Sequence, residues 1–144
     1  MFEEHSGTGR TAFINELAHT ADVALQIDAE TPADLFAGAA VGMAQLMTGE
    51  EEIPEDTTRE IELSDSDLEG LLVNWLNSII EMYDDDGFLP TSVEVRLEPP
   101  AQLSATLVGA TNMPAHILIK AATFHNLEVG RVPVGWSTTV VFDV

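Results

Sequence analysis

Leu68-Glu69-Gly70-Leu71-Leu72-Val73-Asn74-Trp75-Leu76-Asn77-Ser78-Ile79-Ile80-Glu81-Met82-Tyr83 is the stretch that decides the fold. Leu68, Leu71, Leu72, Trp75, Leu76, Ile79, Ile80 and Tyr83 recur at i, i+3, i+4 and i+7, the spacing of one buried helix face. Ser66 and Glu69 fit a capping box at its start, and Asp84-Asp85-Asp86-Gly87 closes it. Upstream, Arg59 to Leu63 alternates as a strand, after an acidic linker loop from Glu50 to Asp56. A first helix opens at Thr31-Pro32-Ala33-Asp34, where Thr31 can cap and Pro32 suits the first helical position. Leu35, Phe36, Ala39, Met43, Leu46 and Met47 give that helix an apolar stripe, and Gly49 ends it. Strands are expected near 13–17 and 22–29, the latter alternating through Val23, Leu25 and Ile27. Beyond the second helix, strand-like runs near 91–98, 101–109, 116–124, 126–132 and 137–143 are separated by turns bearing Pro or Gly. Two helices among several consecutive strands predict an α+β fold: one domain over 13–144, mostly antiparallel, behind a flexible tail at 1–12.

The composition bounds the function. In 144 residues, 45% are hydrophobic, enough for one core. No apolar run approaches the roughly 18–20 residues of a membrane span. Met1-Phe2-Glu3-Glu4-His5 lacks the basic and apolar regions of a secretory signal, and the chain has no cysteine for disulfides or thiolate ligands. The expectation is a cytoplasmic protein. Twenty-five acidic residues face five basic ones, for a formal charge of −20. Such a surface suits a basic partner or a salt-saturated cytoplasm, where a Debye length of about 3 Å at 1 M screens self-repulsion. Carboxylates spread over helices and loops alike, with Lys120 the only lysine, favour salt adaptation. The same balance disfavours strong direct binding to nucleic acid, which needs Lys and Arg against phosphate.

No Gly-x-Ser-x-Gly elbow, phosphate loop or His-Glu-x-x-His motif is present, so the sequence offers weak grounds for an enzyme. His19-Thr20-Ala21-Asp22 precedes a core strand, as a turn with Asp22 accepting backbone N–H groups or as a ligand position. Thr138 to Val144 reads as a strand ending in Asp143 and then in the carboxylate of Val144. Adjacent negative groups repel unless a cation or donor intervenes, and Ca²⁺ or Mg²⁺ prefers such oxygen ligands. Against that stands a solvated strand end. Lys120 interrupts the apolar run Ile117 to Phe124, as a structural ion pair or as a cation orienting a site. His116 and His125 read as turn or core residues, and Trp136 as core cover or partner contact. Glu50 to Glu52 and Asp84 to Asp86 read as solvated runs without the alternation of an EF-hand loop.

Taken together, these segments resemble the archease family. The resemblance rests on His19-Thr20-Ala21-Asp22-Val23, on Thr31-Pro32-Ala33-Asp34-Leu35-Phe36, and on Leu71-Leu72-Val73-Asn74-Trp75-Leu76-Asn77. It continues through Ile119-Lys120-Ala121-Ala122-Thr123-Phe124-His125-Asn126-Leu127-Glu128-Val129 to Val141-Phe142-Asp143-Val144. Ala122 and Phe124 replace the commoner Val and Tyr of that run. The resemblance implies a non-catalytic activator of the RtcB-type tRNA-splicing RNA ligase. Such a protein promotes guanylylation of the ligase's active-site histidine and sustains multiple turnover. Contact with tRNA halves and GTP would run through the ligase. It implies a divalent cation, Ca²⁺ with Mg²⁺ or Mn²⁺ as alternatives, held by Asp22, Asp143 and Val144, with Lys120 in an accessory position. The acidity adds the expectation of a halophilic archaeal source. A second reading is a metal-independent, chaperone-like scaffold for RNA-modification enzymes.

Overall fold

Thr31 begins the first helix as anticipated. Its extended backbone (φ −135°) turns the hydroxyl to accept from the Asp34 N–H at 3.1 Å, and Pro32 opens α1 (Pro32–Thr48). The computed structural model describes residues 5–7, 13–18, 22–49 and 51–144. Gly49 ends the helix, its N–H donating to the Gln45 carbonyl at 2.9 Å. Where the sequence pattern suggests one apolar stripe, α1 is buried on nearly every side. The cause is its run of small residues, Ala37-Gly38-Ala39-Ala40 and Gly42 with Ala44, which lets neighbours close in from several directions. A Cβ at Gly42 would stand 2.8 Å from methyl carbons of both Ile14 and Leu25, so only glycine admits that approach.

The partners of α1 are two antiparallel sheets. One has the order β1-β5-β6-β4, from β1 (His5–Gly7), β4 (Thr57–Ser64), β5 (Leu89–Glu98) and β6 (Gln102–Ala110). The other has the order β2-β3-β9-β7, from β2 (Phe13–Ala18), β3 (Asp22–Ala29), β7 (Ala121–Ala122) and β9 (Gly135–Asp143). A further strand, β8 (Gly130–Val132), pairs with the start of β9. Every pairing is antiparallel. One contiguous core joins both sheets and both helices. Within the segment expected as a tail, the three described residues form β1, paired with β5 from His5↔Leu97 to Gly7↔Val95.

The second helix, α2 (Leu68–Asp86), follows the predicted stripe. Leu71, Leu72, Trp75, Leu76, Ile79 and Ile80 are buried, while Leu68 and Tyr83 at its ends are half-exposed. Its cap differs from the expected box. Asp67, not Ser66, accepts the Gly70 N–H at 2.7 Å. Ser66 instead donates to the Asp65 carboxylate, and the Glu69 carboxylate accepts the Val129 N–H at 2.8 Å. Asp67→Ala should therefore lower unfolding free energy by about 1 kcal/mol in urea denaturation, and Ser66→Ala by far less. Gly87 closes the helix in the left-handed region (φ 73°), where a Cβ would also press on the Asn112 backbone at 2.9 Å. Arg59 pairs with Asp86 and lies over the Phe88 ring, 4.4 Å from its centroid. The bond from Arg59 holds the Asp86 carboxyl below its usual range.

Two expected strands shrink. Of 116–124 only Ala121–Ala122 pairs as strand, and of 126–132 only Gly130–Val132. The apolar alternation at Ile117-Leu118-Ile119 is real, with Ile119 buried and Leu118 65% exposed. Its backbone, however, bonds first to the end of α1 and only from Lys120 onward to β9, so no continuous ladder forms. His116 N–H donates to Met47 O at 2.7 Å, Lys120 N–H to Asp143 O at 2.8 Å, and Thr123 N–H to Val141 O at 3.0 Å. No described helix is long and apolar enough to cross a membrane.

Candidate metal centre

Strand β9 is in place because Trp136, Thr138, Val140 and Phe142 are buried in strict alternation. Phe142, fully buried, fixes the register: a slip of one residue would drive Asp143 into the core and lift Phe142 out. In the fixed register Val23 faces Phe142, Leu25 faces Val140, and Asp22, the first residue of β3, stands opposite Asp143. On the other flank of β9, Ala121 stands opposite Asp143, and the Lys120 N–H bonds the Asp143 carbonyl. Three segments remote in sequence thus converge on Asp143 at one end of the sheet.

The residues expected as a metal site are brought to one place by this backbone ladder. Directly opposite residues of an antiparallel pair have Cα atoms about 4.5–5.5 Å apart. Like charges so placed destabilise the pairing, and a cation between them reverses the sign of the interaction. Asp143 and Val144 are exposed, and so is Lys120. A donor set of carboxylate oxygens open to solvent suits a hard cation that keeps water among its ligands. Among the described residues, no group of three or more His, Asp or Glu side chains gathers as a metal cluster. The fit therefore rests on register and donor chemistry.

The expectation of a strand-borne Lys120 is corrected: it is an exposed residue at the mouth of β7, and no described carboxylate forms a salt bridge with it. His19 lies outside the described residues. His125 occupies a turn, its N–H donating to the Thr123 hydroxyl at 3.3 Å, with Asn126 at φ 50°. His116 is exposed beside Gly49 at the C-terminal end of α1, its N–H bonding the Met47 carbonyl. Trp136 is core cover, 8% exposed, with Arg131 over its ring at 5.5 Å.

Asn77 is the positioning residue that pattern reading missed. Its side-chain oxygen accepts the Ala122 N–H at 2.8 Å and its amide donates to the Ala122 carbonyl at 3.4 Å. One side chain on α2 thereby serves both backbone polar groups of Ala122 and ties β7 to α2. The available signal was an amide beside the apolar stripe, where a solvated helix face more often carries charge. Asn77→Ala leaves two partly buried backbone groups without a partner, a loss of about 1–3 kcal/mol. Amide exchange at Ala122 and Lys120 should accelerate well beyond that at Leu72 in the helix core.

Over nearly its whole length the chain is similar to known proteins. A profile of the archease protein family matches residues 15–144. Protein archease of Methanosarcina barkeri is 32% identical over 136 residues, covering 89% of this chain and 93% of its own. That of Methanopyrus kandleri is also 32% identical, covering 90% and 97%. The solution structure of Methanobacterium thermoautotrophicum protein 1598 superposes with a TM-score of 0.76 at 20% identity, over 91% of this chain and 98% of that one. The crystal structure of an archease from Thermotoga maritima, described as a possible chaperone, superposes with a TM-score of 0.64 at 25% identity, over 90% and 96%.

Proposed function

Since the chain belongs to the archease protein family, we propose that it is a cytoplasmic, non-catalytic activator of the RtcB-type tRNA-splicing RNA ligase. The observation that carries this reading is the convergence of Asp22, Asp143 and Lys120 at one end of a sheet. Asp22, Asp143 and the carboxylate of Val144 would hold a divalent cation, most simply Ca²⁺, whose charge is suited to phosphate oxygens in nucleotidyl transfer. Lys120, exposed and with its backbone bonded to Asp143, adds a positive charge on the same segment. In this reading the contribution is positioning and charge, while the ligase's own histidine takes the nucleotide. GTP and tRNA halves are met through the ligase, consistent with only five basic residues in the chain.

The test is ligase guanylylation and tRNA-half joining in molar KCl, with this protein at substoichiometric amounts. Turnover that rises many-fold supports the activator role; an active ligase indifferent to the folded protein rejects it. The description of the Thermotoga maritima relative as a possible chaperone supports a second reading, a metal-independent scaffold for RNA-modification enzymes. Stimulation that survives chelation and a C-terminal extension beyond Val144 would favour the scaffold.

A further inference from the structure

The five described strands at the sheet margins are unequal. β1 and β8 have three residues each, β7 two and β2 six, whereas β4 has eight, in unbroken register with β6 from Thr57↔Gly109 to Ser64↔Gln102. No described strand pairs with its other edge. Alternate residues of β4 therefore turn their N–H and C=O groups outward, as any margin strand does. β4 contains no proline, no lysine and no bulge against β6, and the charges it carries to guard such an edge are Arg59, Glu60 and Glu62.

Its side chains are sorted by face. Ile61 and Leu63 are half-buried against the core, still open on the outer edge. Glu60 and Glu62 point to the solvent face. There the register forms rows across the sheet, Glu60–Thr106–Glu94 and Glu62–Ser104–Arg96. The small side chains of the middle strand leave an open groove of about 500 Å³ between the flanking longer ones. Two copies of this chain joined edge to edge about Ile61 would set Glu60 against Glu62 twice, which like-charge pairing disfavours.

We propose that the outer edge of β4 is a docking site for an extended segment of a partner protein, in which Lys or Arg alternates with apolar residues. The added strand would complete the β4 ladder. Its basic residues would stand beside Glu60 and Glu62 on the solvent face, and its apolar residues would cover Ile61 and Leu63. This site lies on the other sheet from Asp143 and stands independently of the ligase reading.

The probe is a ten-residue peptide alternating lysine and valine, compared with one of equal composition whose five lysines precede five valines. Binding is measured in about 1 M KCl, where a Debye length of about 3 Å removes diffuse attraction to the chain's negative charge. The alternating peptide should bind more tightly and slow amide exchange in Thr57–Ser64. Glu60→Lys with Glu62→Lys, on the solvent face and outside the core, should weaken it about tenfold and favour an alternating glutamate–valine peptide instead. Equal affinity for both lysine peptides overturns the proposal, as does protection elsewhere with β4 unchanged. So does wild-type affinity in the doubly substituted protein.

Discussion

Asp143→Ala should abolish stimulation of the ligase while leaving the isolated domain as stable as before, or slightly more so, when divalent cations are chelated. The backbone argument comes first. Asp143 holds β7 and the Lys120 segment through its carbonyl, which alanine retains. Its side chain is exposed, so truncation opens no cavity. Without a cation, removing one acidic residue from a rung that carries two relieves a like-charge pairing worth about 0.2–1 kcal/mol. With Ca²⁺ at a hundredfold excess over its dissociation constant, the wild-type domain gains about 2.7 kcal/mol by mass action. At about 3 °C per kcal/mol for a domain of this size, its melting temperature should rise by about 8 °C. Asp143→Ala should lose most of that rise, and Asp22→Ala likewise. Equal shifts on adding calcium to wild-type and substituted proteins would remove the metal site from the account, whatever happened to ligation.

Trp75→Ala should be the most damaging single truncation in the core. Trp75 is the largest fully buried side chain, and its ring N–H donates to the Phe36 carbonyl at 2.9 Å, tying α2 to α1. Deleting the ring removes its burial energy and leaves a cavity that two helices can only partly close, together about 3–5 kcal/mol. Against a total stability of about 5–15 kcal/mol, that is a large fraction. Trp75→Phe keeps most of the apolar volume and should lose much less. The check is urea denaturation in molar KCl at constant m-value; a loss below about 1 kcal/mol for the alanine variant would mean the helices repack freely. Neither variant alters the residues around Asp143, so ligase stimulation per folded molecule should persist in Trp75→Phe.

What was legible in the sequence had a local cause. The α2 stripe, the Thr31 cap with Pro32, and Gly49 and Gly87 as helix ends each follow from residues within one or two turns, and each stands in the structure. The second cap was misplaced by one residue because Asp65, Ser66 and Asp67 can all cap. The choice fell to Asp67 once Asp65 engaged Ser66 and Val129 engaged Glu69. The run from His116 to Val132 misled for a related reason: its alternation reflects burial of single residues against an existing core rather than a ladder. Asp22 and Asp143 were visible as acidic residues at strand ends, and the family resemblance joined them. That they share one rung depends on the pairing of β3 with β9, which no local pattern encodes. Asn77 stayed hidden because its two partners are backbone atoms of a segment whose path was unknown.

The β3–β9 rung also sets an order of events in folding. Joining residues near the two ends of a chain has a loop-closure cost that grows as (3/2)RT ln n, and contacts of this span slow the search for the native state. If the hairpin β5–β6 and the helices condense first, each later closure is shortened, because the intervening chain is already compact. Asp22 and Asp143 then meet only after the rest of the molecule has settled. The cation affinity proposed for this rung would then be the last property acquired, and a half-folded chain would lack it.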